Sequence, residues 1–570
     1  MVDLPDLAPA HADAFARGFP ALADRLAQPG QDPELERIVE GFTELARRVE
    51  RVIDATSLRS VAHFAELLSP ELLRPFPCAT VVELTPLPSR RPSRETFPAG
   101  AEFDSIPIEG TSCRFRAHAP IAVVPWRVSD AKLAWSGTHG NSLDIGLAPI
   151  GSARPEESPL PLRLHLGGEQ RASLLLLSWL HEHLVDVEIE IEGKATSLGR
   201  SAVHPCGFRP EEALLPVEPL EHPGIRLLRE LMVLPAKFAF VDVTGPAMEV
   251  IPAGSRVLLR FRFAAAMPPS VRIDGEMIRT NCAPVVNAFA TTADPLRPSL
   301  ERPTQPVRPS ALRPDHAEVY AVSEVVARMN DGDCIPVPPV TAFGAAPPES
   351  RGMRYALERA PSRSGLGNDV TIAAAAQGAS DPDVDVLSID LWATNRALPT
   401  TLGLGDVRER SPLSPRGFSF RNIRAVTPYR PSAQGELLVW RAMAMSALSA
   451  RSLANRDAIR TLLHALDLHA IADLQAGRAH AQKAEAIVDI SAAPAVSRLE
   501  GKSVRGHDVT VRLSESAFDG EGDAFLFGHV LAHLFAHEAS LNAFVRTTVH
   551  LVTTGRQFRF PPMHGVREIG

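Results

Sequence analysis

The residues best placed to do chemistry are three histidines near the C-terminus. His529, His533 and His537 recur at i, i+4 and i+8, so a helix lays them along one stripe. Two imidazoles one turn apart can share a zinc ion, but no cysteine or carboxylate is fixed beside them as a further ligand. The stripe borders an apolar sector made by Phe527, Val530, Leu531, Leu534 and Leu541, which predicts a solvated or partner-facing helix edge. His181-Glu182-His183 lacks the spacing of a zinc-binding helix, whose two histidines stand four residues apart. Its alternation reads instead as one side of a strand. Ser364-Gly365-Leu366-Gly367-Asn368 opens like a dinucleotide loop, but a helix must follow such a loop. Asp369-Val370-Thr371-Ile372 reads as a strand, so a hairpin turn is predicted.

The remaining signatures point the same way. There is no P-loop lysine motif and no G-x-S-x-G elbow. No carboxylate pair is spaced to flank a sugar or phosphate. Cys78, Cys113, Cys206, Cys282 and Cys334 are odd in number and widely scattered, which argues against a disulfide framework or zinc ribbon. Buried, reduced thiols of a cytosolic protein are expected. No catalytic, cofactor-binding or metal-binding residue is assigned, and the expected protein is not an enzyme.

The elements that carry these residues come from a chain of 570 residues, enough for about three or four domains. Hydrophobic residues make up 45% and charged residues 22%, the balance of an ordinary folded protein. The 59 basic and 67 acidic side chains give a net charge of −8, which argues against nucleic acid as the main ligand. The 51 prolines imply short strands, many turns and extended connections. The N-terminus has no positive region followed by an apolar core, and Leu174 to Trp179 is far too short to span a bilayer. A soluble, cytoplasmic protein without direct membrane insertion is expected.

These patterns predict an α+β multidomain chain, with an N-terminal helical segment, a β-rich middle and an α+β C-terminal domain. Residues 1–75 read as helical. Asp32-Pro33 is a start signal, and Leu35, Ile38, Phe42, Leu45, Val49 and Val52 then form a heptad seam. That seam belongs either to an ordinary bundle or to a contact with another chain. Residues 76–295 are β-rich: apolar and charged residues alternate through 185–192 and 257–263. Residues 296–430 begin with a Pro-rich linker, within 294–315, that predicts a stiff chain without secondary structure. A loose stretch at 344–384 comes next, and a second β-rich domain is expected there. In 431–570 the helical period returns at Ile459, Leu462, Leu463 and Leu466. A strand at HDVTVRLSE and a helix over about 524–543 complete an α+β unit.

Several blocks together resemble the TssF family, the baseplate wedge subunits of bacterial type VI secretion systems. Gly224, Leu227, Leu228 and Glu230, followed by Pro235, Lys237, Phe238 and Phe240, are similar to a G-x-x-L-L-x-E…P-x-K-F-x-F signature. Asn281, Cys282, Pro284, Asn287 and Phe289 resemble an N-C-x-P-V-x-N-x-F block, and Ala293-Asp294-Pro295-Leu296 stands in place after it. Asn395, Arg396 and Pro399 resemble T-N-R-x-L-P; Gly528 closes an F-L-F-G match, and Asn542 and Phe544 fit the last block. The family's E-L-x-x-L-R opening is absent, which marks a divergent member. Read without the family, Leu227, Leu228 and Leu231 are core-facing helical positions. Phe238 and Phe240 alternate along a strand. Asn281 and Asn287 can satisfy buried backbone groups, and Arg396 is a fork for carbonyls or carboxylates.

The resemblance implies an assembly protein rather than a catalyst. In the family two TssF chains join one TssG, with TssK and TssE attached. Six such wedges surround a VgrG spike hub, the base for tube and sheath, and rearranged contacts trigger contraction. It implies a TssG-like subunit, a second copy of this chain, TssK-like and TssE-like proteins and a VgrG-like hub as partners. The seam from Leu35 to Val52 is then a partner interface, and the C-terminal domain a self-association unit. The implied location is cytoplasmic, in a baseplate docked at the inner membrane complex. The alternatives are a wedge subunit of a related contractile injection system or phage-like tail, or a β-rich hydrolase or carbohydrate-binding protein.

Overall fold

The computed structural model describes residues 61–565, apart from 68, 89–93, 137–139, 151–160, 218–220, 247–250, 252–254, 269–270, 299–301, 342–349, 351, 364–365, 377–383, 450–454, 468–473 and 500–501. The chain divides into two compact units, Met1–Ala65 and Glu66–Gly570. The heptad seam of Leu35 to Val52 and its start signal lie outside the described residues. The second unit has a mixed α+β architecture. Among the described residues, no helix is long and apolar enough to cross a membrane.

A six-stranded antiparallel sheet lies at its centre, in the order Val407–Glu409, Glu102–Ile108, Thr111–Arg116, Cys282–Val286, Ala79–Pro86 and Phe418–Asn422. Ala79–Pro86 has neighbours on both sides, Cys282–Val286 and Phe418–Asn422. Its first four residues, Ala79 to Val82, are all buried, so both faces of the strand are covered there, and the Thr80 hydroxyl donates to the Arg424 carbonyl. The sheet joins strands from both sides of the Pro-rich tract. Val82, Phe103, Phe115, Val285, Phe418 and Phe420 fill its core, with the rings of Phe103 and Phe420 edge-to-face at 4.8 Å.

A five-stranded sheet shows what the period-two alternation does. In Val257–Phe263 every second residue is buried, namely Val257, Leu259, Phe261 and Phe263. The wet face carries Arg260 and Arg262, which reach Asp144 and Glu188 on the two flanking strands at 3.1 and 2.8 Å. Helix α1 (Gln170–Glu182) leads into this sheet through Leu184–Ile191, and helix α2 (Pro223–Val233) precedes Phe240–Val243 of a four-stranded sheet.

Two expectations need correction here. The stretch 344–384 holds a long hairpin, Met353–Pro361 paired with Asn368–Ala376. Its run of alanines is tolerated because Met353, Tyr355, Val370 and Ile372 supply the residues that enter the core. The Pro-rich tract is not devoid of structure either. Gln305–Pro306 pairs with this hairpin, and Pro309 bridges to Ala293. Proline's fixed φ suits an edge, where its missing N–H loses no ladder bond.

At the C-terminal end come α3 (Gly435–Ser449), α4 (Arg456–Ala465) and α5 (Leu474–Glu485). Asn455 caps α4 by accepting from the Asp457 N–H, and Ile459, Leu462 and Leu463 are its buried face. The strands Ile487–Leu499 and Lys502–Leu513 form an antiparallel pair. Helix α6 (Glu521–Glu538) then carries the chain back to Ala543–Leu551, which lies parallel to Lys502–Leu513. A parallel pair requires such a crossover.

Candidate functional site

The motif residues that the sequence singles out are scattered along the chain but are built into two buried arrangements. The first concerns polar side chains under the central sheets. Asn281 has a left-handed φ of 57°. Its Oδ1 accepts from the Val124 N–H at 2.8 Å and its Nδ2 donates to the Val124 carbonyl at 3.0 Å, so one side chain imitates a strand neighbour. Cys282 and Pro284 continue as strand Cys282–Val286, where Pro284 stands opposite Val81. Asn287 is fully buried: its Nδ2 donates to the Arg114 carbonyl and to Asn395 Oδ1, both at 2.8 Å. Its Oδ1 accepts from Thr394 Oγ1 at 2.9 Å and from the Asn395 N–H at 2.7 Å. Phe289 then opens the strand Phe289–Thr292.

Arg396 extends this network from a left-handed position, with a φ of 53°. Its Nε donates to the Ala317 carbonyl at 2.7 Å, and its two terminal nitrogens reach the Leu366 carbonyl and Asp369 Oδ1, each at 3.0 Å. The guanidinium thus clamps the hairpin loop that the glycine pattern drew attention to. Pro399 is buried in the single turn Leu398–Thr401.

The G-x-x-L-L-x-E block forms α2. His222 caps it: Nδ1 accepts from the N–H groups of Gly224 and Ile225 at 3.2 and 3.4 Å, and Pro223 fills the first turn. A Cβ on Gly224 would stand 2.8 Å from Leu534 Cα on α6, so only glycine admits that helix. Leu227 and Leu228 are buried, and Glu230 is a buried hub. It accepts from the Leu214 N–H at 2.7 Å, from Arg226 at 3.2 Å and from the Lys237 ammonium. Burial pulls Lys237 down to about 8, against the opposing attraction of Glu230. Pro235, Lys237 and Phe238 lie on the short turn Pro235–Phe238, so Phe238 is not the strand residue expected; Phe240 is. A proline at the start of that turn favours it over an extended chain.

The second arrangement is the packing of α6, and here two expectations fail. His181-Glu182-His183 is the end of helix α1 and its cap, not a strand. The long apolar run before it, Leu174 to Trp179, propagates helix into these polar residues. The histidine row of α6 is not a solvated edge. His529 is buried between Phe208 and Phe560, with ring centroids at 4.3 and 4.9 Å. His533 stacks on Phe208 at 4.5 Å, and His181 of α1 lies 5.7 Å from His529. Desolvation drops His533 to about 4 and holds His529 well below the usual imidazole range. Among the described residues, no group of three or more His, Cys, Asp or Glu side chains is arranged to hold a metal.

The rest of this region is held by glycines and phenylalanines. A Cβ on Gly528 would meet Val549 at 2.7 Å, so α6 lies hard against its own sheet there. Phe544 is fully buried in Ala543–Leu551, while Asn542 is exposed in the preceding turn. The helix ends at Glu538, earlier than the periodicity suggested, because Ser540 and Asn542 turn the chain into that strand. Four cysteines are buried, with burial raising the Cys113 thiol to about 12; Cys334, expected inside, is exposed. Sequence reasoning missed Phe208 and Arg114, and it gave no role to His222 and Thr394, which open two of the motif blocks. Only His222, next to Pro223, carried a local signal, that of a helix start.

The chain matches the family model for TssF of the type VI secretion system over residues 9–567. It is 28% identical to the type VI secretion system component TssF1 of Pseudomonas aeruginosa, covering 98% of this chain and 96% of that protein. It superposes with a TM-score of 0.80 and 25% identity on a chain from the cryo-electron microscopy structure of a TssK-TssF-TssG baseplate subcomplex, covering 94% of this chain and 100% of that one. A chain of a type VI secretion baseplate complex shares the fold, with a TM-score of 0.57 and 20% identity over 98% of each chain. From the motif blocks, the buried network they build and this match along nearly its whole length, the chain belongs to the TssF family of type VI secretion system components.

Proposed function

We propose that this chain is a structural subunit of the baseplate wedge of a type VI secretion system, binding a TssG-like and a TssK-like subunit. The observation that carries this reading is the superposition on a chain of the TssK-TssF-TssG subcomplex over almost the full length of both. The buried hubs support it: Asn287, Arg396 and Glu230 spend their bonding capacity on holding strands and loops in place, as a scaffold requires. Work of this kind needs broad interfaces, of about 1,200 Å² or more each. A second copy, a TssE-like protein and a VgrG-like hub complete the assembly, at the cytoplasmic face of the inner membrane complex. Residues 431–570 supply the self-association surface.

The N-terminal segment is helical in this reading, and the seam of Leu35, Ile38, Phe42, Leu45, Val49 and Val52 is its contact with the TssG-like subunit. The test is co-expression of the full chain with TssG-like and TssK-like proteins from the same locus, followed by size exclusion. A stable complex of all three is expected. Leu45→Asp with Val52→Asp should abolish capture of the TssG-like protein, since burying two unpaired carboxylates costs several kcal/mol. A wild-type chain that elutes alone in the presence of both partners sinks the wedge reading. A double variant that binds at wild-type yield removes only the seam.

A further inference from the structure

Helix α6 is the point at which the C-terminal strands meet the middle of the unit, and its contact surface is unusual. Two glycines bring backbones together: a Cβ on Gly522 would lie 2.3 Å from the Leu174 carbonyl carbon of α1, and one on Gly224 of α2 would strike Leu534. Between these close approaches runs a row of imidazoles. His529 and His533 are 5.3 Å apart, His181 faces His529, and His537 lies 6.2 Å from His222 at the start of α2. Phe208 and Phe560 cover the first two with flat stacks. Neutral rings can pack this way; imidazolium ions at these spacings, with little water between them, repel.

The hydrogen bonds of His222 fix its tautomer. Its Nδ1 accepts from two backbone N–H groups, and its Nε2 lies 2.7 Å from Glu538 of α6. The Nε2–H therefore donates to Glu538, and the cap rests on Nδ1 as an acceptor. This one ring both caps α2 and ties it to the end of α6.

We infer that the imidazole row on α6 is an acid-opened clasp, which holds the C-terminal strands and α6 against α1 and α2 while neutral and lets them separate when protonated. The other charged groups facing the row do little to accommodate new protons. From α2, Arg226 adds positive charge beside His533 and His537, and Glu230 is already engaged by Arg226 and Lys237. From α1, Glu182 is held by Arg556 at 3.0 Å, with His183 beside the same guanidinium. Arg200 donates to the His181 carbonyl, and the Arg559 carbonyl accepts from His181. On α6 itself, Glu521 pairs with Arg556 and Asp523 with Lys483, and Glu538 at the end of the row is engaged by His222.

The direction with pH follows from the histidines. His533 and His537 titrate near 4 in the closed form against an ordinary value of 6.5, so the opened form binds more protons between those limits. Closure is complete above about pH 7 and weakens as pH falls towards 4. At pH 5, His533 alone shifts the closed-to-open ratio about thirtyfold.

The experiment is hydrogen exchange by mass spectrometry on the full chain at pH 7.5 and 5.0, corrected for intrinsic exchange. At pH 5.0, peptides of α6 and the facing parts of α1 and α2 should lose at least tenfold in protection. Peptides of Ala79–Pro86 and Cys282–Val286 should keep theirs. His529→Phe with His533→Phe should retain protection at pH 7.5 and lose most of the acid response. His537→Gln, at the less buried end, should reduce it partly even if the double variant does not fold. Unchanged α6 protection at pH 5.0 in the wild type, loss of α6 together with the central sheet, or a wild-type response in the folded variants would each overturn the clasp.

Discussion

The central network and the α6 contact bury polar side chains by opposite means. Around Asn287 and Arg396, nearly every donor and acceptor meets a partner at 2.7–3.2 Å, and the protein holds segments more than a hundred residues apart in one geometry. Around His529 and His533, the rings are held by packing against other rings. The amide network is built from asparagine amides, a threonine hydroxyl, backbone groups and a guanidinium, which keep one charge state between pH 5.0 and 7.5, and its strength is set by directionality. The α6 contact depends on shape and on the absence of charge, so a proton is enough to alter it. A scaffold that must keep its core while one part moves has use for both.

The largest effect should come from the charged hub. Glu230→Leu leaves Lys237 and Arg226 buried without their carboxylate, at a cost of about 3–5 kcal/mol. Equilibrium denaturation of the full chain should show that loss, or no soluble protein at all. A shift under 1 kcal/mol would mean that the two cations find other partners, and that the hub is not what holds α2.

Next is Asn287→Leu, which strands the Asn395 N–H, the Thr394 hydroxyl and the Arg114 carbonyl, at about 2–4 kcal/mol. It sharpens the comparison because its penalty should be the same at pH 7.5 and pH 5.0, unlike anything done to α6. Urea midpoints at the two pH values would decide this; a penalty that changes strongly with pH would erase the distinction between the two regions. The smallest effect is expected at the exposed Arg546–Asp508 pair, 2.7 Å apart across the C-terminal strands. Arg546→Gln should cost less than about 1 kcal/mol and fade with added salt. A larger, salt-insensitive loss would show that this pair is less solvated than its exposure implies.

The sequence determined the elements whose information is local. Period-two runs such as Val257–Phe263 became strands because alternate residues meet core and water. The 3.6-residue pattern at Ile459, Leu462 and Leu463 became a helix with its cap at Asn455. The motif blocks named the family because spacing and order along the chain are themselves sequence properties.

What those motifs touch depends on segments brought together from far along the chain. Asn287 and Asn395 stand 108 residues apart, and no local rule joins two asparagines over that distance. The histidine stripe was legible as a stripe, yet periodicity reports only which residues share a helix face. Whether water, a partner or Phe208 covers that face depends on a loop more than three hundred residues earlier in the chain. His181-Glu182-His183 misled for the related reason that alternation over three residues is too short to outweigh the helix entering it. Burial is a property of what folds back onto a segment, and the segment's own residues do not encode it.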